Sequence, residues 1–143
     1  MTIPKGNYPN TFYRVSIKAI IRNEKGEVLL VKEDGGSWSL PGGGMDHGET
    51  AEEALAREMY EEALITDTFQ ARIIGTHPRF VKDKQAWMLW VVFELDMPSQ
   101  FTYGKGADAD EVAFIDPKSF KQSTTVSERL VYKWCVDRTI QVI

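Results

Sequence analysis

Glu58, Glu61 and Glu62 stand at i, i+3 and i+4, with Arg57 beside them and Gly42, Gly43 and Gly44 a short way upstream. On a helix, this spacing gathers the three carboxylates on one arc with the guanidinium at its edge. Like charges one turn apart cost a helix about 0.2–0.5 kcal/mol. A hard divalent cation among them removes that repulsion, and an all-oxygen donor set favours Mg²⁺ or Mn²⁺ over zinc. Mg²⁺ uses one or two carboxylates and leaves its other positions to water and substrate phosphate. Glycines upstream let the backbone come close to such a site.

A helix must carry these groups. Thr50 is the expected N-cap, because Glu53 three residues on completes a capping box. The helix is predicted to run to about Ala63. Leu55, Ala56, Met59 and Ala63 are its expected core side. Ala51 and Ala54 share the carboxylate arc, where their small size leaves room for a ligand.

The series Gly43, Glu49, Arg57, Glu58, Met59, Glu61, Glu62, Leu64 and Ile65 resembles the Nudix box, the signature of the Nudix hydrolases. Its fixed positions match except the last glycine, which here is Leu64. Glycine suits a left-handed helix end and leucine does not, so a differently terminated helix is expected. Leu40-Pro41-Gly42-Gly43 is similar to the approach to the box in that family. The resemblance implies a mixed-sheet α/β/α sandwich. It also implies Mg²⁺- or Mn²⁺-dependent hydrolysis of a phosphoanhydride in a nucleoside diphosphate linked to another moiety X, such as a nucleoside triphosphate or nucleotide sugar.

In that reading Glu58 and Glu62 are the principal metal ligands, Glu61 stands adjacent, and the Gly42 carbonyl is a further ligand. One of the three glutamates takes the proton of the attacking water, with Glu58 the candidate by resemblance. Arg57 orients a glutamate through a charge-assisted hydrogen bond, and Glu49 supports the loop–helix junction. The family often recruits one more acid from a later loop; Asp110 and Glu111 are the candidates, and Glu94 is a weaker one.

The remaining sequence bounds this reading. The 143 residues form one expected domain, 1–143, with a net charge of −4. That balance does not suit a nucleic-acid backbone, so a small-molecule nucleotide is the expected partner and polymeric nucleic acid is not. The single cysteine, Cys135, excludes an intrachain disulfide framework and falls on an apolar helical stripe as a core thiol. MTIPKGNYPN has no apolar signal-peptide core, and no apolar run approaches the roughly 18 residues of a membrane span. A cytoplasmic protein without membrane contact is expected. No motif speaks to oligomeric state.

Residues 1–10 read as an extended lead-in. Phe12 to Arg22 alternates, predicting a strand with Tyr13, Val15, Ile17, Ala19 and Ile21 buried and Arg14, Ser16, Lys18 and Arg22 mostly on a polar face. Asn23–Gly26 is a turn with Gly26 at positive φ, and Val28 to Lys32 is a second strand. Residues 34–37 form a loop, and His47 is a polar loop residue before the helix. Phe69 to Gly75 is a strand that His77-Pro78-Arg79-Phe80 breaks, with a hairpin connection at 81–84. Ala86 to Leu95 is apolar on both faces and reads as a central strand, with Trp87 and Trp90 as core on opposite faces.

Pro98 to Ala109 is a loop, followed by a short strand at Val112–Ile115 closed by Asp116-Pro117. Thr125 and Glu128 form a second capping box for a helix whose stripe is Val126, Leu130, Val131, Trp134 and Cys135. Arg14, Lys18, Arg79, Lys82 and Lys84 are candidate phosphate contacts, or solvated side chains. Phe80, Phe101 and Tyr103 are candidates for stacking on a base, or simply pack. The rival readings are a nucleotide-sensing domain without turnover, a related enzyme on the same fold such as isopentenyl diphosphate isomerase, and an interaction domain with an acidic face.

Overall fold

The computed structural model describes residues 10, 12–33 and 35–138. The lead-in over 1–9 and the loop residue Asp34 lie outside them.

Strand β1, Arg14–Ile20, is the axis of the fold. It pairs antiparallel with β3, Gly42–Gly44, and parallel with β5, Ala86–Asp96, which in turn pairs antiparallel with β4, Gln70–Val81. The four-stranded sheet is therefore mixed, in the order β3-β1-β5-β4. Strands β2, Val28–Lys32, and β6, Glu111–Ile115, make a separate antiparallel pair. Helix α1, Ala51–Ala63, and helix α2, Val126–Cys135, cover opposite faces of the sheet. This is the expected α/β/α arrangement. Among the described residues no helix is long and apolar enough to cross a membrane.

Strand parity divides the core into two layers. Ile17, Ala19, Phe93 and Leu95 pack with Leu55, Met59 and Ala63 of α1. Ile20, Trp90 and Val92 pack with Leu130, Val131 and Trp134 of α2. Each fully buried large aliphatic side chain contributes about 1.5–3 kcal/mol. The expectation of one polar face on β1 is corrected here: Ser16 and Ile20 are buried on the face expected to be polar. A strand with neighbours on both edges and a helix over each face has no polar side to offer.

Three further expectations are corrected. The glycine stretch is not only a loop, because Gly42–Gly44 pairs with Ser16, Ile17 and Lys18. Strand β4 continues through Pro78 to Val81, which an edge strand allows because the missing N–H faces no neighbour. A bulge between Ile73 and Gly75 brings Gly75 under the Trp134 ring, where a Cβ would stand 2.7 Å from it. Trp87 is not core. It lies about half exposed in contact with Tyr13 and Phe80, whereas Trp90 is buried on the other face as expected.

Gly26 has φ +77° in the expected turn. The second capping box forms only in position. The Thr125 side chain caps nothing, and Glu128 instead accepts from Ser123 Oγ at 2.8 Å and from the Trp38 N–H at 3.2 Å. Cys135 is buried, and loss of solvent pushes its thiol up to about 12, as suits a core thiol.

Candidate active site

Helix α1 starts as its sequence requires. The Glu53 N–H donates to Thr50 Oγ1 at 3.2 Å, although the reciprocal arm of the box joins the two side chains and does not reach the Thr50 N–H. The inward side of the helix is rotated from the expected one: Ala54, Leu55, Glu58, Met59, Glu62 and Ala63 are buried, and Ala56 is exposed. Ala54 is therefore core and leaves no space for a ligand. The rotation turns Glu58 and Glu62 inward against the glycine strand.

The helix end is also different from expectation. Leu64 takes the left-handed conformation itself, with φ +53°. Its N–H reaches the Tyr60 carbonyl at 3.1 Å, and the Ile65 N–H reaches that of Met59 at 3.2 Å. A non-glycine residue there carries strain of about 1–2 kcal/mol. The last turn has no basic side chain. Backbone N–H groups of the later loop serve instead: Gly104 donates to Ala63 at 2.8 Å, Gly106 to Glu62 at 2.9 Å and Asp108 to Glu61 at 3.1 Å. A Cβ on Gly106 would stand 2.2 Å from the Glu61 carbonyl oxygen, so only glycine allows this approach.

Between α1, β3 and this loop lies an open crevice of roughly 490 Å³. Glu58, Glu61, Glu62, Gly42 and Gly43 form one wall, and Glu33, Asp108 and Asp110 face them. Gly43 must lack a side chain, because a Cβ there would come 2.6 Å from Glu58 Oε1. Glu62 Oε1 accepts the Gly42 N–H at 2.6 Å, while its Oε2 is buried with no partner. Burial raises the proton affinity of Glu62 strongly. The neighbouring Glu33 adds to this, since two facing carboxyls satisfy one another only when one carries a proton, and the Lys18 ammonium opposes it. Glu58 is raised too, by burial first, against the attraction of Arg57.

Arg57 ties the site together. Its Nε and Nη2 grip Glu49 at 2.7 and 3.0 Å, its Nη1 reaches Glu58 at 3.1 Å and Glu61 at 3.2 Å, and Nη2 also donates to the Gly44 carbonyl. Glu49 in turn accepts the Asp46 N–H at 2.6 Å. The guanidinium holds the Glu49 carboxyl down to about 2. Among the described residues no three carboxylate, imidazole or thiol groups form a ready-made metal cage. Arg57 holds Glu58 and Glu61, and the Gly42 N–H holds Glu62.

The other candidate residues divide. Asp110 lines the crevice and accepts the Gly35 N–H at 2.7 Å. Glu111 does not line it and pairs with Lys32 at 3.3 Å. Glu94 is occupied by Arg22 and Arg72 at 3.0 and 3.1 Å. Lys18 stands behind Gly42, its Nζ 3.4 Å from that carbonyl and 5.0 Å from the centre of the Trp90 ring. Arg79 lies over the same ring at 5.5 Å. Arg14 donates to the Met45 carbonyl at 3.3 Å on the exposed end of β1.

Phe80 packs on Trp87 and Tyr103 on Phe114, and neither lines the crevice. His47 is an exposed loop residue. Sequence reading did not single out Glu33 or Asp108 for the site, because neither belongs to a spaced pattern. Only the folding of their loops onto the helix end and β3 brings them there.

The NUDIX domain profile matches residues 12–135. A curated relative from Shewanella denitrificans, named RNA pyrophosphohydrolase, is 36% identical over 84 residues, 58% of this chain and 42% of that protein. The chain thus matches less than half the length of that relative. The crystal structure of a MutT protein from Methanosarcina mazei Go1 superposes with a TM-score of 0.72 at 25% identity, covering 92% of this chain and 97% of the other. The NUDIX domain of Shewanella oneidensis NrtR, solved with ADP ribose, superposes with a TM-score of 0.68 at 18% identity, over 93% and 95% of the two chains, and shares the fold.

Proposed function

Because the chain belongs to the NUDIX family, we propose that it hydrolyses the phosphoanhydride bond of a nucleoside diphosphate linked to a moiety X, with a divalent cation. The observation that carries this reading is the orphaned, buried Glu62 Oε2 on the crevice wall beside Glu58 and opposite Glu33. A buried carboxylate oxygen without a donor is costly. A proton or a cation removes that cost, and an all-oxygen crevice fits Mg²⁺ or Mn²⁺. The lack of a ready-made cage is compatible with Mg²⁺, which draws most of its ligands from water and substrate.

Glu58 and Glu62 would hold the cation, with Glu61 and the Gly42 carbonyl beside them and Asp108 or Asp110 across the crevice. When bound, it would offset charge on the phosphate oxygens. The chain does the rest. Arg57, anchored by Glu49, fixes where the Glu58 and Glu61 carboxylates point. One of the glutamates takes the proton from the attacking water. The water oxygen becomes bonded to one phosphorus, the bridging P–O bond breaks, and the two phosphate products leave. The Lys18 ammonium behind Gly42 adds positive charge near the phosphates.

The substrate we propose is a small nucleotide. The name of the curated relatives makes RNA the second substrate to test. The test is a panel of nucleotides and an RNA with Mg²⁺, assayed for phosphate products with wild type and Glu62→Gln. The variant is expected to fold normally and to lose turnover by roughly a hundredfold or more. Wild-type rates in Glu62→Gln would overturn the site assignment, and binding without turnover in the wild type would favour a sensing domain.

A further inference from the structure

Among the described residues Arg79 is a cation without a counter-ion. It is half-buried on β4 with its guanidinium over the Trp90 ring, and among the described residues no hydrogen bond or ion pair engages it. Lys18 shares that ring, but the Glu62, Glu33 and Glu58 carboxylates act on its charge and the Leu40 and Gly42 carbonyls lie within 3.5 Å of its Nζ. Nothing comparable serves Arg79. On the same face of β4, His77 also packs on Trp90 and offers no negative charge.

Partial burial of a guanidinium carries a desolvation cost that an aromatic face offsets only in part. A second cation on the same ring adds repulsion. The planar fork of arginine matches phosphate oxygens in pairs. The register of β1, β5 and β4 sets Lys18, Trp90 and Arg79 on one face of the sheet, in a row that starts at Gly42 on the crevice wall. Lys18, beside Gly42, and Arg79 thus set positive charge 5.0 and 5.5 Å from the centre of the Trp90 ring.

Resting on the hydrolase reading, we propose that Arg79 binds an anionic group of X beyond the cleaved anhydride. The substrate class is then one with at least three successive phosphates, such as a nucleoside triphosphate, in preference to a nucleotide joined to a neutral sugar. Trp90 holds the guanidinium in place and Lys18 bridges the row to the crevice.

Calorimetry with inorganic tripolyphosphate and pyrophosphate tests this on the whole protein without requiring turnover. Wild type is expected to bind tripolyphosphate more tightly than pyrophosphate. Arg79→Gln is expected to lose about tenfold or more of the tripolyphosphate affinity and little of the pyrophosphate affinity, with Arg79→Lys in between. An unchanged thermal transition in both variants checks the fold. In turnover, Arg79→Gln is expected to raise KM for a nucleoside triphosphate more than for a nucleotide sugar.

Equal affinity of the wild type for both polyphosphates, or equal loss of both in Arg79→Gln, would overturn the proposal. Arg79 would then be a side chain lying over Trp90 for packing alone. Arg79-dependent tripolyphosphate binding with no turnover of any nucleotide would instead refute the hydrolase reading and leave the anion site standing.

Discussion

The contact between the 104–108 loop and the end of α1 is open to a direct test. In Gly106→Ala the new Cβ meets the Glu61 carbonyl oxygen at 2.2 Å and the carbonyl carbons of Glu61 and Glu62 at 2.7 Å. These are backbone atoms of a packed helix and cannot step aside as a flexible side chain would. The loop must lift, and three backbone hydrogen bonds go with it: Gly104 to Ala63, Gly106 to Glu62 and Asp108 to Glu61. At a net ~0.5–1.5 kcal/mol each, the loss is about 1.5–4.5 kcal/mol. The helix C-terminus is left with no basic side chain to take over. Gly104→Ala is the control, because its Cβ meets only Leu64 Cδ1 at 3.5 Å, an ordinary contact. Its cost should stay within about 0.5 kcal/mol. Urea unfolding of wild type and both variants reads the difference. If Gly106→Ala unfolds at the same urea concentration as Gly104→Ala, the loop does not cap this helix as described. Activity should fall with stability in Gly106→Ala, since the same loop carries Asp108 and Asp110 to the crevice rim.

Other substitutions probe separate parts of the structure. The Glu49 carboxyl, held down to about 2 by Arg57 and the Asp46 N–H, contributes stability that is complete above its ordinary 4.5 and is lost as pH falls toward 2. Urea midpoints of wild type and Glu49→Gln should therefore differ at pH 6 and converge only as pH falls to about 2; a constant gap would contradict the ion pair. Leu64→Gly relieves the left-handed strain at φ +53° and adds unfolded-chain entropy, so a net gain of about 0.5–1 kcal/mol is expected in thermal or urea unfolding. Cys135, buried and pushed up to about 12, should resist a thiol reagent at pH 8 in the native protein and react fully in denaturant; fast native labelling would place it at the surface.

Much of this was legible in the chain. The unbroken apolar run from Ala86 to Leu95 marked β5 as a strand covered on both sides, and Thr50 with Glu53 marked the helix start to the residue. Where reading by local pattern failed, a long-range contact had decided the outcome. Pro78 is a strand breaker in general, yet it sits inside β4 because that strand is at the sheet edge. Trp87 and Trp90 are the same residue type in one strand, but only Trp90 faces the layer under α2. Thr125 and Glu128 have capping spacing, but Ser123 and Trp38 claim the glutamate.

The sequence by itself determined the carboxylates. Helical periodicity and a fixed spacing put Glu58, Glu61 and Glu62 within a turn of one another, with Arg57 in reach, wherever the helix lies. Tertiary structure alone decided which side of that helix is turned inward, and so that Ala54 is core and Glu62 is a buried acid. It also chose Asp110 over Glu111 for the crevice and brought in Glu33 and Asp108, which no local pattern marks. Spacing along a helix is a covalent property of the chain, whereas the rotation of a helix and the path of a loop depend on contacts between residues far apart in sequence.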